Sequence, residues 1–312
     1  MDNYFLVTGA AGFIGSKVAQ YWVNAGKKVI TIDNLSTGTV EAIPAGVVFI
    51  QGNLGDAALV DQLRAYDIEA IFHIAGQSSG EISFENPSYD LQSNTESTLL
   101  LLKLAKERGI KHFIYASTMS VYGNQDYLPV TEETEAVPVS FYACGKLASE
   151  QYLRIYSQLG VHSVALRLFN VYGPGQNLTN MKQGMVSIYL AQALNLGTIT
   201  VKGSMDRFRD FVYIDDVVQA FVNAYDYSQS HAFGLFNVSS GIHHTVGQVV
   251  EALRKNFEQD IPVVEIQGTP GDQFGIFGSS WRAQNELNWK ATMPFNEGMK
   301  NMVEWAKSVS HE

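Results

Sequence analysis

The chain has 312 residues, of which 46% are hydrophobic and 17% charged, with 27 Gly, one Cys, and 21 Lys plus Arg against 31 Asp plus Glu. That length supports a substantial core and roughly two domains, while the lone Cys144 excludes an internal disulfide framework and a Cys-rich zinc site, so a reducing cytoplasm is the expected compartment. A net charge of −10 disfavours a nucleic-acid partner, whose affinity comes mainly from Lys and Arg on phosphates, and the longest apolar run, residues 99–102, falls far short of a membrane span.

Taken in chain order, the start Met1-Asp2-Asn3-Tyr4 lacks the basic region of a signal peptide. Short β-branched or aromatic runs at 4–8, 28–32, 47–51, 70–74, 112–116 and 162–167 predict strands, separated by helix-length segments. Their continuous apolarity fits strands buried on both faces, as in a parallel sheet covered by helices. Between the first two, Ile14, Val18, Tyr21 and Ala25 predict one buried stripe of an amphipathic helix that stops at Gly26. The expected fold is therefore α/β, a Rossmann-like doubly wound parallel sheet over residues 1–168. Beyond about Asn170 the pattern loosens into Gly-, Pro- and Asn-rich loops, with helices predicted at 182–196, 215–226, 246–257 and 296–307 and strands at 198–202 and 235–238. These predict a smaller α/β substrate domain over 169–312, interleaved with the first at the boundary.

The first strand runs into Gly9-Ala10-Ala11-Gly12-Phe13-Ile14-Gly15. Glycines there permit a tight turn, close approach of backbone to a pyrophosphate and close helix-to-strand packing, and the helix N-terminus offers free N–H groups. Asp33 follows Gly15 by 18 residues at the end of the second strand, placed to accept from both hydroxyls of a ribose. No Arg or Lys lies close to it in sequence to hold a 2′-phosphate, so NAD is expected rather than NADP. Asn53 and Leu54 are candidates for the adenine edge. Ala75 and Gly76, after the fourth strand, let a cofactor pass close to the backbone. His73 is expected to pack within its strand. No metal site is expected, because His243 and His244 are adjacent and Cys144 stands alone.

Ser117-Thr118-Met119-Ser120 ends the fifth strand, and 24 residues beyond Thr118 comes Tyr142-Ala143-Cys144-Gly145-Lys146. On a helix, i and i+4 share a face. An ammonium beside a phenol favours the phenolate, so Tyr142 is expected to titrate below its usual value and act as a base. Gly76-Gln77-Ser78-Ser79-Gly80 also matches a Gly-x-Ser-x-Gly nucleophile pattern, but a nucleophile elbow leads directly into a helix, and Asn86 and Pro87 read as a turn.

With these motifs in place, the chain resembles the extended short-chain dehydrogenase/reductase family, in its NAD-dependent nucleotide-sugar epimerase and dehydratase branch. Further carriers of the resemblance are the segments 166–174, 209–217 and 236–241, and Gly271-Asp272 ahead of Leu287-Asn288-Trp289. The resemblance implies that Thr118 bonds the reacting sugar hydroxyl, Tyr142 moves its proton, and Lys146 binds the nicotinamide ribose. It extends the cofactor set to Asn34 and Asn94, and the substrate set to Gln77, Ser78, Asn170, Arg209 and Asp272.

Dehydratases of the branch carry an Asp-Glu pair after the threonine, where this chain has Met119 and Ser120, so 4-epimerisation of a UDP-hexose type substrate through a 4-keto sugar is the activity implied. A 4-ketoreductase consuming reduced pyridine nucleotide is the alternative, and a non-catalytic dinucleotide sensor is disfavoured by the intact Tyr/Lys pair. An arginine common before the Gly-Asp is missing at 268–270, leaving Arg282 or Arg207 to replace it, and Ile276 falls where relatives set the room for a 2-N-acetyl group. The resemblance also implies a homodimer in which helices 94–108 and 142–159 pair across a two-fold axis, with Leu99, Leu102, Tyr152, Ile155 and Tyr156 supplying apolar surface.

Overall fold

A strand that is apolar at every position has two faces to bury. In β1 (Asn3–Thr8), Phe5 and Val7 pack into one layer and Leu6 into the opposite one. The computed structural model describes residues 3–181, 184–257, 260–268 and 273–309. After β1 come α1 (Phe13–Asn24), β2 (Lys28–Asp33), β3 (Val48–Gln51), α2 (Ala57–Asp61), β4 (Asp67–His73), α3 (Gly80–Glu85), α4 (Pro87–Asp90), α5 (Ser97–Arg108), β5 (His112–Thr118), α6 (Phe141–Gln158) and β6 (His162–Leu168). The chain continues through β7 (Asn170–Tyr172), α7 (Met185–Leu196), β8 (Ile199–Lys202), β9 (Phe208–Tyr213), α8 (Ile214–Ser228), β10 (Phe233–Val238), β11 (His243–Thr245), α9 (Val246–Arg254), β12 (Val263–Ile266), β13 (Gly275–Ile276), α10 (Trp281–Glu286) and α11 (Phe295–Val309).

Seven parallel strands form the central sheet in the order β10-β6-β5-β4-β1-β2-β3. Because the winding reverses between β1 and β4, a crevice opens beyond their carboxyl ends, the usual ligand position in such sheets. One face of the sheet buries Phe5, Phe72, Ile114 and Leu166 against Trp22 of α1 and Phe221 of α8. The other buries Leu6, Ile71 and Phe113 against Leu101 of α5 and Leu153 of α6. Each such side chain contributes about 1.5–3 kcal/mol when taken from water.

The strand predicted at 235–238 is not an isolated piece of the C-terminal part. It is β10, the outermost strand of the central sheet, in register with β6 from Phe233↔Ser163 to Val238↔Leu168. Smaller sheets, β11-β9-β13 with β7 against β9 and the pair β12-β8, pack around a third core that includes Leu190, Phe211, Val249 and Met302. The stripe expected on α1 is rotated: Tyr21 is exposed, and Gly15, Val18, Ala19 and Trp22 face the core. Gly15 forces this face inward, since a Cβ there would lie 2.1 Å from the Gly9 carbonyl oxygen.

Candidate active site

A cleft of about 980 Å³ runs along the carboxyl ends of the central strands. The β1–α1 turn forms its floor. Gly9 has φ +75° and lies so close to the β4 end that a Cβ would meet the Ala75 Cα at 2.9 Å. Helix α1 starts with no side-chain cap and no acidic residue in its first turn, so its leading N–H groups, including those of Phe13, Ile14 and Gly15, lack intrahelical acceptors and face an anion favourably. Gly12 and Gly76 complete the narrow passage. Asp33 at the end of β2 accepts from the N–H groups of Ala11 at 3.0 Å and Leu35 at 2.8 Å. Those bonds fix the carboxylate between turn and loop, with acceptor capacity remaining for hydroxyl donors. Asn34, Asn53 and Leu54 line the same end of the cleft. This donor set fits a dinucleotide: uncapped amides for the pyrophosphate, a carboxylate for a ribose and small residues where backbone must come close.

The other end of the cleft is built by β5 and α6. Thr118 is 7% exposed at the last position of β5, and its hydroxyl accepts from the Ser120 N–H at 3.2 Å. Ser140 caps α6 by accepting from the Ala143 N–H at 3.2 Å, which fixes the turn that carries Tyr142. The Thr118 hydroxyl donates to the Ser120 hydroxyl at 3.1 Å and neighbours the Tyr142 phenol. One turn further, Lys146 is buried, donates from Nζ to the Ala116 carbonyl at 2.9 Å and sits 5.9 Å from the centre of the Tyr142 ring. Thr118, Tyr142 and Lys146 thus meet in the cleft that holds the dinucleotide-type cradle.

The expected lowering of Tyr142 is not found. Burial pushes its phenol up to about 12, an effect that the nearby Thr118 hydroxyl opposes and the Asp90 carboxylate reinforces. Lys146 is pushed down to about 8 by burial, against the pull of Asp90 and Glu150. Desolvation, which residue spacing does not reveal, dominates the balance at Tyr142.

The remaining candidates are placed unevenly. Gln77 and Ser78 line the cleft, as does Asn170, whose Nδ2 donates to the Asp210 carbonyl at 3.0 Å. The Gln77 amide is nevertheless engaged within the protein: Nε2 donates to the Ser79 carbonyl at 2.8 Å and to Asp90 Oδ1 at 2.7 Å, and Oε1 accepts from the Ser79 N–H. Asn94 is buried behind Gly76, its Oδ1 occupying the space a Gly76 Cβ would need. Arg209 does not line the cleft. Its guanidinium donates to the carbonyls of Phe208, Gln273 and Phe274 at 2.8, 2.7 and 3.1 Å, and burial followed by the charge of Arg207 lowers it to about 10. Asp272 lies outside the described residues. Arg282 pairs with Glu133 at 3.5 Å and Glu286 at 3.2 Å on the surface, so Arg207 is the arginine that neighbours Arg209. Ile276 is fully buried in the core and does not border the cleft.

His73 packs within its strand as expected, with Nδ1 on the Thr8 hydroxyl at 2.9 Å and Nε2 near that of Thr98 at 3.1 Å. The nucleophile pattern does lead into a helix, contrary to the expectation. That helix is the short α3, whose cap is the Ser79 hydroxyl accepting from the Ile82 N–H, and the neighbouring His73 has its ring nitrogens committed elsewhere. Sequence reasoning missed Asp90 and the 36–39 loop, where a Gly38 Cβ would lie 2.1 Å from the Ala11 carbonyl oxygen. A signal for Asp90 existed in its i, i+4 spacing to Asn94.

The NAD dependent epimerase/dehydratase family model matches residues 5–239. The chain belongs to this family. It is an NAD-dependent enzyme of the nucleotide-sugar epimerase branch of the extended short-chain dehydrogenases/reductases. It is 31% identical to the UDP-glucose 4-epimerase of Mycolicibacterium smegmatis over 98% of this chain and 99% of that protein. Among solved structures, it resembles the UDP-glucose 4-epimerase of Thermotoga maritima with UDP-glucose, with TM-score 0.93 and 31% identity over 99% of both chains. It also resembles the Thermus thermophilus UDP-glucose 4-epimerase in complex with NAD, with TM-score 0.90 and 31% identity over 97% of this chain and 99% of that one. No helix among the described residues of this family member is long and apolar enough to cross a membrane.

Proposed function

We propose that this enzyme is a UDP-hexose 4-epimerase in which Tyr142 exchanges a proton with the sugar 4-hydroxyl. The observation that carries the reading is the meeting of the Thr118 hydroxyl, the Tyr142 phenol and the Lys146 ammonium in the NAD cleft. Gly9, Gly12, Phe13, Ile14 and Gly15 hold the pyrophosphate, Asp33 and Asn34 the adenosine ribose, Asn53 and Leu54 the adenine, and Ala75 and Gly76 flank the passage to the nicotinamide. Bound NAD supplies reversible oxidation at sugar C4, by way of a 4-keto sugar. Lys146 holds the nicotinamide ribose, and Thr118 orients the substrate hydroxyl toward Tyr142.

Met119 and Ser120 occupy the two positions after Thr118 and line the cleft. Neither supplies the acid and base that eliminating water from the sugar requires, which supports epimerisation over dehydration. Asn170, Gln77 and Ser78 form the sugar-facing wall, and Arg209 belongs to the nucleotide-binding side, which residues 169–312 supply to the dinucleotide-binding 1–168 part. The resemblance to enzymes named for UDP-glucose supports uracil as the base.

We assign the enzyme a homodimer through α5 and α6, where Leu99 and Ile155 are exposed at 39% and 54%; Leu102 instead packs in the core. Incubation with UDP-, dTDP-, GDP- and CDP-sugars without added pyridine nucleotide tests the proposal. Interconversion of the C4 epimers of a UDP-hexose is expected. Stoichiometric consumption of supplied NADH or NADPH with a 4-keto sugar would replace it with a reductase.

A further inference from the structure

Behind the reacting pair lies a carboxylate that the mechanism above does not use. Asp90, the last residue of α4, is 1% exposed. Its Oδ1 accepts from Gln77 Nε2 at 2.7 Å and from Asn94 Nδ2 at 3.1 Å, while its Oδ2 is buried with no hydrogen-bond partner among the described residues. That free oxygen faces α6, since a Cβ on Gly145 would lie 3.6 Å from it. Gly145 directly precedes Lys146, whose Nζ stands 3.4 Å from the Cβ position of Gly76, the same position that Asn94 Oδ1 crowds at 2.4 Å. Asp90, Asn94 and the Lys146 ammonium are therefore buried together behind Gly76.

A buried carboxylate whose hydrogen bonds come only from neutral amides is costly unless a cation stands nearby. The other buried carboxylate near Lys146, Glu150, already has its cation. Arg167 grips it with two bonds, at 3.0 and 2.8 Å, and the Ser117 hydroxyl donates to it. Asp90 has no arginine of this kind, and its electrostatic partner is Lys146.

We propose that Asp90 is a positioning residue for the reaction: the counter-ion that keeps Lys146 charged and anchors the Gln77 loop to it, so setting the pH range in which the Tyr142/Lys146 pair works. The proposal rests on the reading of those two residues as the reacting pair. Facing Lys146 are Asp90 from α4, His73 from β4, the Tyr115 ring at 4.8 Å from β5, and Glu150 and Tyr142 from its own helix. Facing Tyr142 are Thr118, Tyr115 and Asp90. A carboxylate among them makes both the ammonium and the phenol harder to deprotonate, so its removal moves both titrations to lower pH.

The test is Asp90→Asn. Its amide oxygen retains the acceptor used by Gln77 and Asn94, and its nitrogen replaces the unpartnered oxygen, so charge is removed with little change of shape. In ligand-free protein labelled with 13C at lysine ε-carbons, the Lys146 resonance is identified by its loss in Lys146→Met. Burial, which pushes the ammonium down to about 8, places its expected midpoint in the parent chain there. In Asp90→Asn its midpoint should fall by about one pH unit or more, as expected when a nearby opposite charge is lost, and both limbs of the epimerisation pH profile should move down with it. An unmoved Lys146 midpoint, or a lower rate with unmoved limbs, would overturn the proposal and leave Asp90 a packing residue.

If Asp90→Asn does not fold, Lys146→Met supplies the reciprocal measurement. The Asp90 carboxyl should then protonate at a higher pH than in the parent chain, and no change would contradict the coupling. The titrations need no substrate, so they separate this proposal from the identity of the sugar nucleotide, which the activity assay on the parent chain decides.

Discussion

The two halves of this enzyme use their buried polar groups differently. In the dinucleotide half, a short contiguous stretch of sequence makes a whole subsite: residues 9–15 provide the turn, the helix start and the packing glycine, and Asp33 is tied back to Ala11 by one bond. In the C-terminal half, segments far apart in sequence converge on single side chains. Asp210 of β9 accepts from the Ser240 N–H at 2.8 Å, the Ser240 hydroxyl at 2.6 Å, the Gly241 N–H at 3.1 Å and the Gly278 N–H at 3.3 Å. Asp216 in the first turn of α8 likewise accepts from Thr292 and Met293. A locally encoded site announces itself by spacing, whereas one assembled by long-range anchors shows only the type of each residue.

The sharpest separation of chemistry from scaffold is Tyr142→Phe. It removes the proton-carrying oxygen while leaving the ring, so turnover should fall by about 10²–10⁴-fold, with bound NAD and thermal unfolding near those of the parent chain. Unimpaired turnover would remove Tyr142 from its role.

Next are two substitutions that break one half each. Asp210→Ala leaves three backbone N–H groups without their acceptor and should cost about 3 kcal/mol or more by denaturant unfolding. Gly15→Ala, with its Cβ 2.1 Å from the Gly9 carbonyl oxygen, should displace α1 from the turn, with loss of bound NAD exceeding the loss of stability. If Asp210→Ala instead left stability intact and Gly15→Ala retained NAD, the contrast between the halves would not hold.

The smallest effect is expected from Asp33→Asn. The amide retains an acceptor oxygen and loses the charge, so NAD affinity should weaken by about tenfold, read by titration calorimetry on cofactor-stripped protein.

The same contrast explains what was legible in the sequence. The six strands of the first half were readable because apolar runs buried on both faces carry a strong signal, and the cradle because its glycines sit between a strand and a helix. The role of 235–238 was not readable, because a strand that returns to the far edge of a sheet looks locally like any other short apolar run. The buried face of α1 was misread because hydrophobicity weighted Tyr21 and Ala25, while packing against the Gly9 turn required Gly15. Tyr142, Lys146 and Thr118 were legible as candidates from residue type and spacing, but the rise of the phenol to about 12 depends on burial, which no spacing reveals. The three backbone carbonyls that hold the Arg209 guanidinium come from segments far apart in sequence and could not be read from its motif.

The central claim is that this site epimerises by transient oxidation at C4 with its own bound NAD. The most direct test is incubation of the purified enzyme with UDP-glucose carrying deuterium at C4, with no added pyridine nucleotide, followed by mass spectrometry of the products. The account expects UDP-galactose that retains the deuterium at C4. Epimerised product whose C4 deuterium has exchanged with solvent, or no epimerised product at all, would contradict it.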